Sequence, residues 1–364
     1  MSILTDFMER KLLDHIFGVT EMTKLTSLYL GISTTAFSES DTASQALAKE
    51  PGSSGTTYNG NGYQRVSVYS TSSTSGLTVG VSDSNPSVEN KDQISFPQAT
   101  TSNWGSIGYW ALFEDQIPSN GTSSSTIDAD DGQKPLMIGS FSSAVTTNVG
   151  DQFRIATGAF TIEFPDAIHV VGNGGAYNST PYHGKSGLGY LIGMPANSSS
   201  YEWDFMAGDS TYTNKLWLGV STSAFGTSGV NDETDAGRQE PGFTTSISDT
   251  SLSAYRQNGY NQRPEIIFNS ASTSSGVTTI TNSNAVEFPE CASNNWGDIT
   301  HFAIFAGGNT SSSYAALPSG SSVTSGDVSV QHRPFFIGAL DATKTVNVGD
   351  TLRFPAGSIS IALD

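Results

Sequence analysis

Apolar and polar residues alternate along most of the chain with the period of two that β-strands produce. Leu28, Leu30 and Ile32 lie on one side of such a segment. Residues 107–113 and 299–305 are apolar on both faces, which is typical of central strands covered on each side. Asn-Gly and Val-Gly-Asp sequences supply turns between the strands. The pattern predicts a mainly β protein, built as β-sandwich or jelly-roll-like domains.

The N-terminal segment follows the helical period instead. Its apolar residues recur every three or four positions, at Leu4, Phe7, Met8, Leu12 and Ile16. Ser2 or Thr5 can cap its start and Gly18 can end it, so we expect one short N-terminal α-helix. The second half of the chain has no counterpart, so the helix is not needed to close a β domain. It either docks on a partner or packs on the first domain's own sheet.

The same series of short motifs occurs twice, in the same order, about 190 residues apart. The matched segments are 28–37 with 216–225, 50–52 with 240–242, 61–63 with 258–260, 96–97 with 288–289, 103–105 with 295–297, and 148–151 with 347–350. Loop insertions between fixed strands explain the small drift in spacing. We therefore predict a tandem duplication, with a helix and arm at 1–24, a β domain at 25–166, a Gly/Ser-rich linker at 167–211 and a second β domain at 212–364.

Composition narrows the class of partner. Charged residues make up 14% of the chain and the net charge is −18, which repels nucleic-acid phosphates. No apolar run is long enough to cross a membrane. We expect neither nucleic-acid binding nor membrane insertion.

Cysteine usage and the N-terminus indicate where the chain folds. Cys291 is the single cysteine, so no internal disulfide can form. Residues 1–17 carry charges throughout and lack the apolar core of a signal peptide. We expect synthesis and folding in a reducing host cytoplasm.

Catalytic and metal-binding patterns are weak. No two of the five histidines have ligand spacing, and no G-x-S-x-G motif occurs. Gly184-Lys185-Ser186 ends like a phosphate-binding loop, but its leading glycine is missing. Asp128, Asp130 and Asp131 resemble the start of a calcium loop, but the twelfth position is Gly139, so whether they bind a cation stays open. We expect a non-enzymatic protein with no catalytic, cofactor-binding or metal-ligating residues.

Features that occur in both copies are best explained by the fold that both copies share. Trp104 and Trp296 follow an asparagine in a loop context that suggests exposure and sugar stacking, but their repetition favours structural anchors. His301 stands where the first copy has a tyrosine, which suggests a packed ring. The pairs Asp151 with Arg154 and Asp350 with Arg353 suggest ion pairs that stabilise turns. We then expect the functional residues in segments that differ between the two copies. These include the inserted loops 115–134 and 307–331 and the region 226–253.

Several segments of the chain together resemble small tailed-phage and prophage virion proteins that are often labelled tail-fibre-like. The resemblance covers the opening 4–18, the strand 28–30, Gly62-Tyr63, Phe96-Pro97, Trp104-Gly105, the strand 111–113 and the ending 347–364. Members are usually one unit long, so this chain resembles a duplicated member. The first unit departs from the pattern at 153–158, which lacks the Phe-Pro-Ala-Gly of the second.

The resemblance implies a structural component of a bacteriophage virion. The two compact β units predicted for this chain favour a role in decorating or cementing the outer capsid. The alternative is a tail-fibre or tail-associated adhesin that binds a host receptor or glycan through loops such as 307–331; a glycan-active enzyme is the third and weakest hypothesis. Expected partners are other virion proteins and further copies of the chain. The position on the virion, the oligomeric state and the host stay open.

Overall fold

The structure is a computed structural model, which describes more of the first half of the chain than of the second. The described residues are 4–17, 19–20, 25–70, 77–81, 86–163, 215–223, 240–241, 258–260, 263–307 and 334–363. The mainly β fold predicted from the alternation is confirmed, since antiparallel sheets make up both halves. None of the described helices is long and apolar enough to cross a membrane.

The first half, called the first unit below (the described residues within 25–163), folds into three antiparallel sheets. Its strands are β1 (Ser27–Ser33), β2 (Val66–Ser70), β3 (Leu77–Val81), β4 (Pro86–Asn90), β5 (Ile94–Gln98), β6 (Gly105–Phe113), β7 (Met137–Thr147), β8 (Gln152–Ile155) and β9 (Thr161–Glu163). The sheet orders are β2-β1-β6-β7, β3-β4-β9 and β5-β8. β6 lies inside the four-stranded sheet, which confirms the central strand predicted at 107–113.

The second half, called the second unit (the described residues within 215–363), repeats these sheets. Its strands are β10 (Lys215–Ser221), β11 (Glu265–Ile266), β12 (Ser272–Ser274), β13 (Val277–Thr281), β14 (Val286–Glu290), β15 (Gly297–Gly307), β16 (Pro334–Val346), β17 (Thr351–Phe354) and β18 (Ser360–Leu363). They are ordered β11-β10-β15-β16, β12-β13-β18 and β14-β17. This repetition is consistent with the predicted duplication. The domain limits stay predictions, and the predicted linker 167–211 lies outside the described residues.

The core of the first unit lies between the four-stranded sheet and the smaller sheets. Leu28, Leu30 and Ile32 are buried, as their alternation predicts. Trp110 of β6 meets Phe160, just before β9, edge to face with ring centroids 5.0 Å apart. Aromatic rings in this geometry are favoured beyond the area that they bury. The contact joins the two layers.

A buried asparagine shapes the corner where β4 and β9 give way to β5 and β8. Asn90 donates from its side chain to the carbonyls of Asp92 and Ala156, both at 2.8 Å, and accepts from the Phe160 amide at 2.8 Å. Asn282 makes the corresponding three bonds in the second unit. A buried amide must be satisfied in this way, so the corner is built identically in both units.

The described residues contain the predicted N-terminal helix and two short helices that the sequence analysis did not predict. The helices are α1 (Asp6–Ile16), α2 (Ala43–Lys49) and α3 (Ser124–Asp128). Thr5 caps α1 by accepting from the Met8 amide at 3.3 Å. α2 begins with a capping box formed by Thr42 and Gln45.

Candidate functional site

A buried ionic triad, formed by Glu50, Tyr63 and Arg65, stands out among the polar groups of the first unit. Glu50 follows α2, Tyr63 follows a short 3-10 turn, and Arg65 precedes β2. The Glu50 carboxylate accepts from the Tyr63 hydroxyl at 2.7 Å and from Arg65 Nε and Nη2 at 3.0 and 2.8 Å. The charged side chains of Glu50 and Arg65 have no exposed area, so the triad ties three chain segments together in the core.

The remaining contacts of Arg65 fix the loop that follows β6. Arg65 Nη1 donates to the Asp115 carbonyl at 2.9 Å and to Gln133 Oε1 at 2.8 Å. Its guanidinium lies 3.5 Å from the centroid of the Phe113 ring. A planar guanidinium can satisfy such a fork of acceptors and stack on a ring at the same time, which a lysine cannot.

Glu240, Tyr260 and Arg263 form the equivalent triad in the second unit. The Tyr260 hydroxyl donates to Glu240 Oε1 at 2.6 Å, and Arg263 Nε donates to the same oxygen at 2.9 Å. Each tyrosine hydroxyl also accepts a hydrogen bond from a backbone amide of the four-stranded sheet. The donor is Ile32 in the first unit and Val220 in the second. Both triads therefore hold the loop before the edge strand against the sheet.

The electrostatics of the triads point to a structural role. Burial raises the pKa of Tyr63 and of Tyr260 well above the ordinary value, and the adjacent carboxylates of Glu50 and Glu240 raise it further. The hydroxyls stay protonated and keep donating at any physiological pH. Because the charged groups are closed off from solvent and bonded to one another, the triads stabilise the fold.

The tryptophans predicted from the repeat are buried anchors, and the loop context that suggested exposure was misleading. Trp104 and Trp296 are each 4% exposed. Their indole Nε1 groups donate to the carbonyls of Asn61 at 3.0 Å and Asn258 at 2.7 Å. Both asparagines have left-handed backbone, with φ of 59° and 62°. No indole face is open for a sugar, so the structural reading is the one that the geometry supports.

The acidic segment 128–131 uses its carboxylates within the first unit. Asp128 accepts from the amide and hydroxyl of Ser44 on α2, Asp130 accepts from the Gly132 amide, and Asp131 pairs with Lys134 at 2.7 Å. Among the described residues, no cluster of three or more His, Cys, Asp or Glu side chains is placed to hold a metal ion.

The predicted aspartate–arginine pairs are wrong. Asp151 accepts from the Asn148 amide, and Arg154 donates to Gln152 Oε1 on the same strand. In the second unit Arg353 lies 3.8 Å from Glu287 across the β14–β17 pair. Residues three positions apart along an extended chain point to opposite faces, which separates the side chains of each predicted pair.

His301 lies half-buried on β15 and pairs with Ser221, as Tyr109 pairs with Ser33 in the first unit. Its Nδ1 lies 2.8 Å from the Thr300 hydroxyl. The structure therefore places this histidine in a sheet, as its pattern predicted. Gly184-Lys185-Ser186 lies outside the described residues, as do most of 226–253 and 307–331.

Helix α1 packs on the first unit, which is one of the two predicted alternatives, and it also contacts the second unit. On the first unit, Thr5 Oγ1 donates to the Pro135 carbonyl at 2.6 Å and its amide donates to the Leu136 carbonyl. At the other end, the Asp14 carboxylate accepts from the Ala271 amide at 2.6 Å. The Phe17 ring, directly after α1, lies 4.6 Å from that of Phe268.

The buried face of α1 continues the core from one unit into the other. Met8, Leu12, Leu13 and Phe17 are all nearly inaccessible to solvent. They belong to one continuous apolar cluster with residues of both units. The helix is therefore an internal clamp between the first unit and the second unit of the same chain.

Residues 3–163 match the family model of the podophage GP4 fiber I protein gp80. The fiber I protein match takes in α1 and the first unit and ends where β9 ends. It confirms the predicted resemblance to phage virion proteins with a tail-fibre-like label. It also supports a structural role in a virion, without distinguishing tail from capsid. No curated protein matches the chain significantly.

We expect Arg65→Met to destabilise the protein by about 3–5 kcal/mol, because it leaves the Glu50 carboxylate buried without its counter-charge. Chemical denaturation monitored by tryptophan fluorescence measures the change. The matched control is Arg154→Met, which removes an exposed arginine and should change stability by less than about 0.5 kcal/mol. Adding Glu50→Gln to Arg65→Met should recover part of the loss. Equal stability of the Arg65 and Arg154 variants would contradict a role for the triad.

The raised tyrosine pKa values predict a loss of stability at alkaline pH. The folded state retains both protons above the ordinary value of 10.0, where the unfolded chain releases them. The stabilisation is therefore complete below about pH 10 and declines above it, by about 1.4 kcal/mol per pH unit for each tyrosine. Denaturation curves between pH 8 and pH 11 should show a shallower decline for Tyr63→Phe/Tyr260→Phe than for the parent. Parallel declines would show that these hydroxyls ionise normally.

The clamp predicts that the units stay together after the chain is cut between them. A protease site placed within 167–211 of the full chain allows cleavage after folding. We expect the two halves to co-elute in gel filtration. We expect Asp14→Ala/Phe17→Ala to separate them, because this double variant removes a buried ring contact and the acceptor of a backbone amide between α1 and the second unit. Arg10→Ala, on the exposed face of α1, is the control and should leave the halves associated. Separation of the parent halves would contradict the clamp.

Proposed function

We propose that this chain is a non-enzymatic component of a phage tail-fibre apparatus, made in the host cytoplasm and built into the virion. The match of residues 3–163 to the fiber I protein family carries this proposal. The matched segment contains α1 together with one complete set of sheets, so the similarity spans a folded module and not an isolated motif.

The geometry favours a module that mediates attachment, and it does not favour a fibre shaft. Each unit closes its own core between short antiparallel sheets, and α1 joins the two cores. A shaft needs a repeat that continues along an axis, whereas these units are closed by corners at Asn90 and Asn282. The chain would then contribute two similar modules, in fixed relation, to contacts with other virion proteins.

The buried polar groups support a structural role. In the described residues, the buried charges of Glu50, Arg65, Glu240 and Arg263 are consumed by the two triads. Their bonds close the core and leave the carboxylates no route to an external solute. Binding of host-surface glycan, if it belongs to this chain, would have to use other segments, and 307–331 is our candidate.

Capsid decoration is the second candidate, and the repetition of the sheets favours it. Two units of the same fold in one chain can occupy two neighbouring quasi-equivalent positions on a capsid lattice. Such positions present similar surfaces in slightly different settings, which suits a duplicated module.

Locating the chain on the particle distinguishes the two candidates. Mass spectrometry of purified virions establishes whether the chain is present, and cryo-EM with an antibody fragment against the second unit establishes where it lies. We expect the fragment to label the tail-fibre region. Label spread over the capsid shell would favour decoration, and absence of the chain from purified virions would overturn both candidates. Glycan-array binding that is lost on deletion of 307–331 would add a receptor-binding role.

A further inference from the structure

The last strands of the two main sheets, β7 and β16, are equivalent edge strands. Among the described residues, β7 pairs with β6 and β16 pairs with β15, and each ends its sheet order. Leu4 bridges to Met137 at the start of β7, and within the described part of the chain the later residues of that strand have no partner strand on their outer side. An edge strand presents a row of backbone amides and carbonyls that can pair with another chain. These two strands are therefore natural places for an added strand.

The pairing registers align β7 and β16 residue by residue. In the first unit Ile107 pairs with Val145 and Tyr109 with Ser140. In the second unit the corresponding pairs are Ile299 with Lys344 and His301 with Ala339. Both edge strands thus bulge at the same place, and Val145 occupies the position of Lys344.

The outer parts of both strands are open to solvent on both faces. Every residue of 142–146 is exposed, and every residue of 341–345 is exposed. Val145 is 50% exposed, which is unusual for a large apolar residue. Exposure alone does not distinguish the two edges.

Charge distinguishes them. β16 carries Asp341 and Lys344 in its exposed part, and charged residues on an edge strand, lysine above all, discourage pairing with other chains. β7 has no charged residue over its whole length, Met137–Thr147. Because both strands bulge alike, charge is what differs between these two equivalent edges: β16 carries it and β7 does not.

The net charge of the chain makes this difference significant for self-association. Two copies that each carry a charge of −18 repel one another, so a contact between them is favoured where charge is locally absent. The exposed part of β7 is an uncharged strand that offers serine, alanine and valine side chains and open backbone groups. A second copy of this chain, with the same strand, is the partner that this edge fits.

We propose that β7 of one chain pairs antiparallel with β7 of a second copy, so that two first units join across a twofold axis. Identical strands related by a twofold axis meet antiparallel, and the contact is self-complementary. Residues 142–146 are the pairing segment, and the protected β16 leaves the second unit out of the contact. The interface is small, so association depends on concentration and is promoted by the crowding of subunits in an assembling particle. The proposal is independent of where on the virion the chain lies.

The test uses the full chain and changes β7 toward the residue found in β16. Analytical ultracentrifugation over a range of concentrations measures the dimer dissociation constant of the parent. We expect Val145→Lys to raise that constant by at least about tenfold, and Ser142→Lys/Val145→Lys to abolish the dimer, because charges on the paired segment must be desolvated and repel each other. Both positions are exposed, so thermal denaturation should give parent-like midpoints.

The matched control makes the reverse change in the second unit. Lys344→Val removes the charge from the equivalent position of β16 and leaves β7 intact, so its β7 dimer should persist with the parent dissociation constant. Amide hydrogen exchange locates the contact, since the protection of 142–146 should rise with concentration while that of 341–345 does not. A parent that is monomeric at all concentrations, or an oligomer that survives Ser142→Lys/Val145→Lys, would overturn the proposal.

Discussion

Each unit depends on one buried ion pair. Glu50 and Arg65 lie in the core of the first unit without exposed area, and removing two charges from water costs several kcal/mol for each ion. The cost is offset because the remaining bonding capacity is used: a tyrosine hydroxyl donates to the carboxylate, and a backbone carbonyl and a glutamine accept from the guanidinium. The loop after α2, the start of β2 and the loop after β6 are thereby fixed at one point. A single replacement leaves an orphaned charge, which is why the triad constrains so much of the unit.

The sequence predicts the strands well and the buried polar contacts poorly, for a physical reason. Burial of alternate side chains follows from the pleat of a strand, so Leu28, Leu30 and Ile32 reveal their strand locally. The bond between Glu50 and Arg65 forms only when two loops meet, and a one-residue insertion before Arg263 hides the second copy of the arginine from a motif comparison. Local spacing suggested Asp151 with Arg154 instead, although an extended strand directs such side chains apart.

The same limit explains the tryptophans and the helices. Trp104 lies in a loop, and its indole is buried because it bonds to the carbonyl of Asn61 and packs on the ring of Tyr63. Neither contact is visible in the local sequence. α2 is seven residues long, too short for a periodic signal, although its Thr-x-x-Gln capping box was visible. The apolar face of α1 was readable, but its contact with Phe268 joins residues far apart in the chain, so the sequence could show that a partner was needed and could not show which one.

The two units differ in helix α1 and in the charge of their equivalent edge strands, and these differences make the two ends of the chain unequal. One helix serves two units, and it fixes the second unit to the first through Phe17 and Asp14. Of the two equivalent edges, one carries charge and the other does not. A molecule with two open edges adds copies at both ends and grows into an open filament, whereas a molecule with one open edge stops at a pair. In the proposed pairing through β7, Asp341 and Lys344 keep the equivalent edge of the second unit from adding a further copy, so pairing through these two edges closes at a dimer.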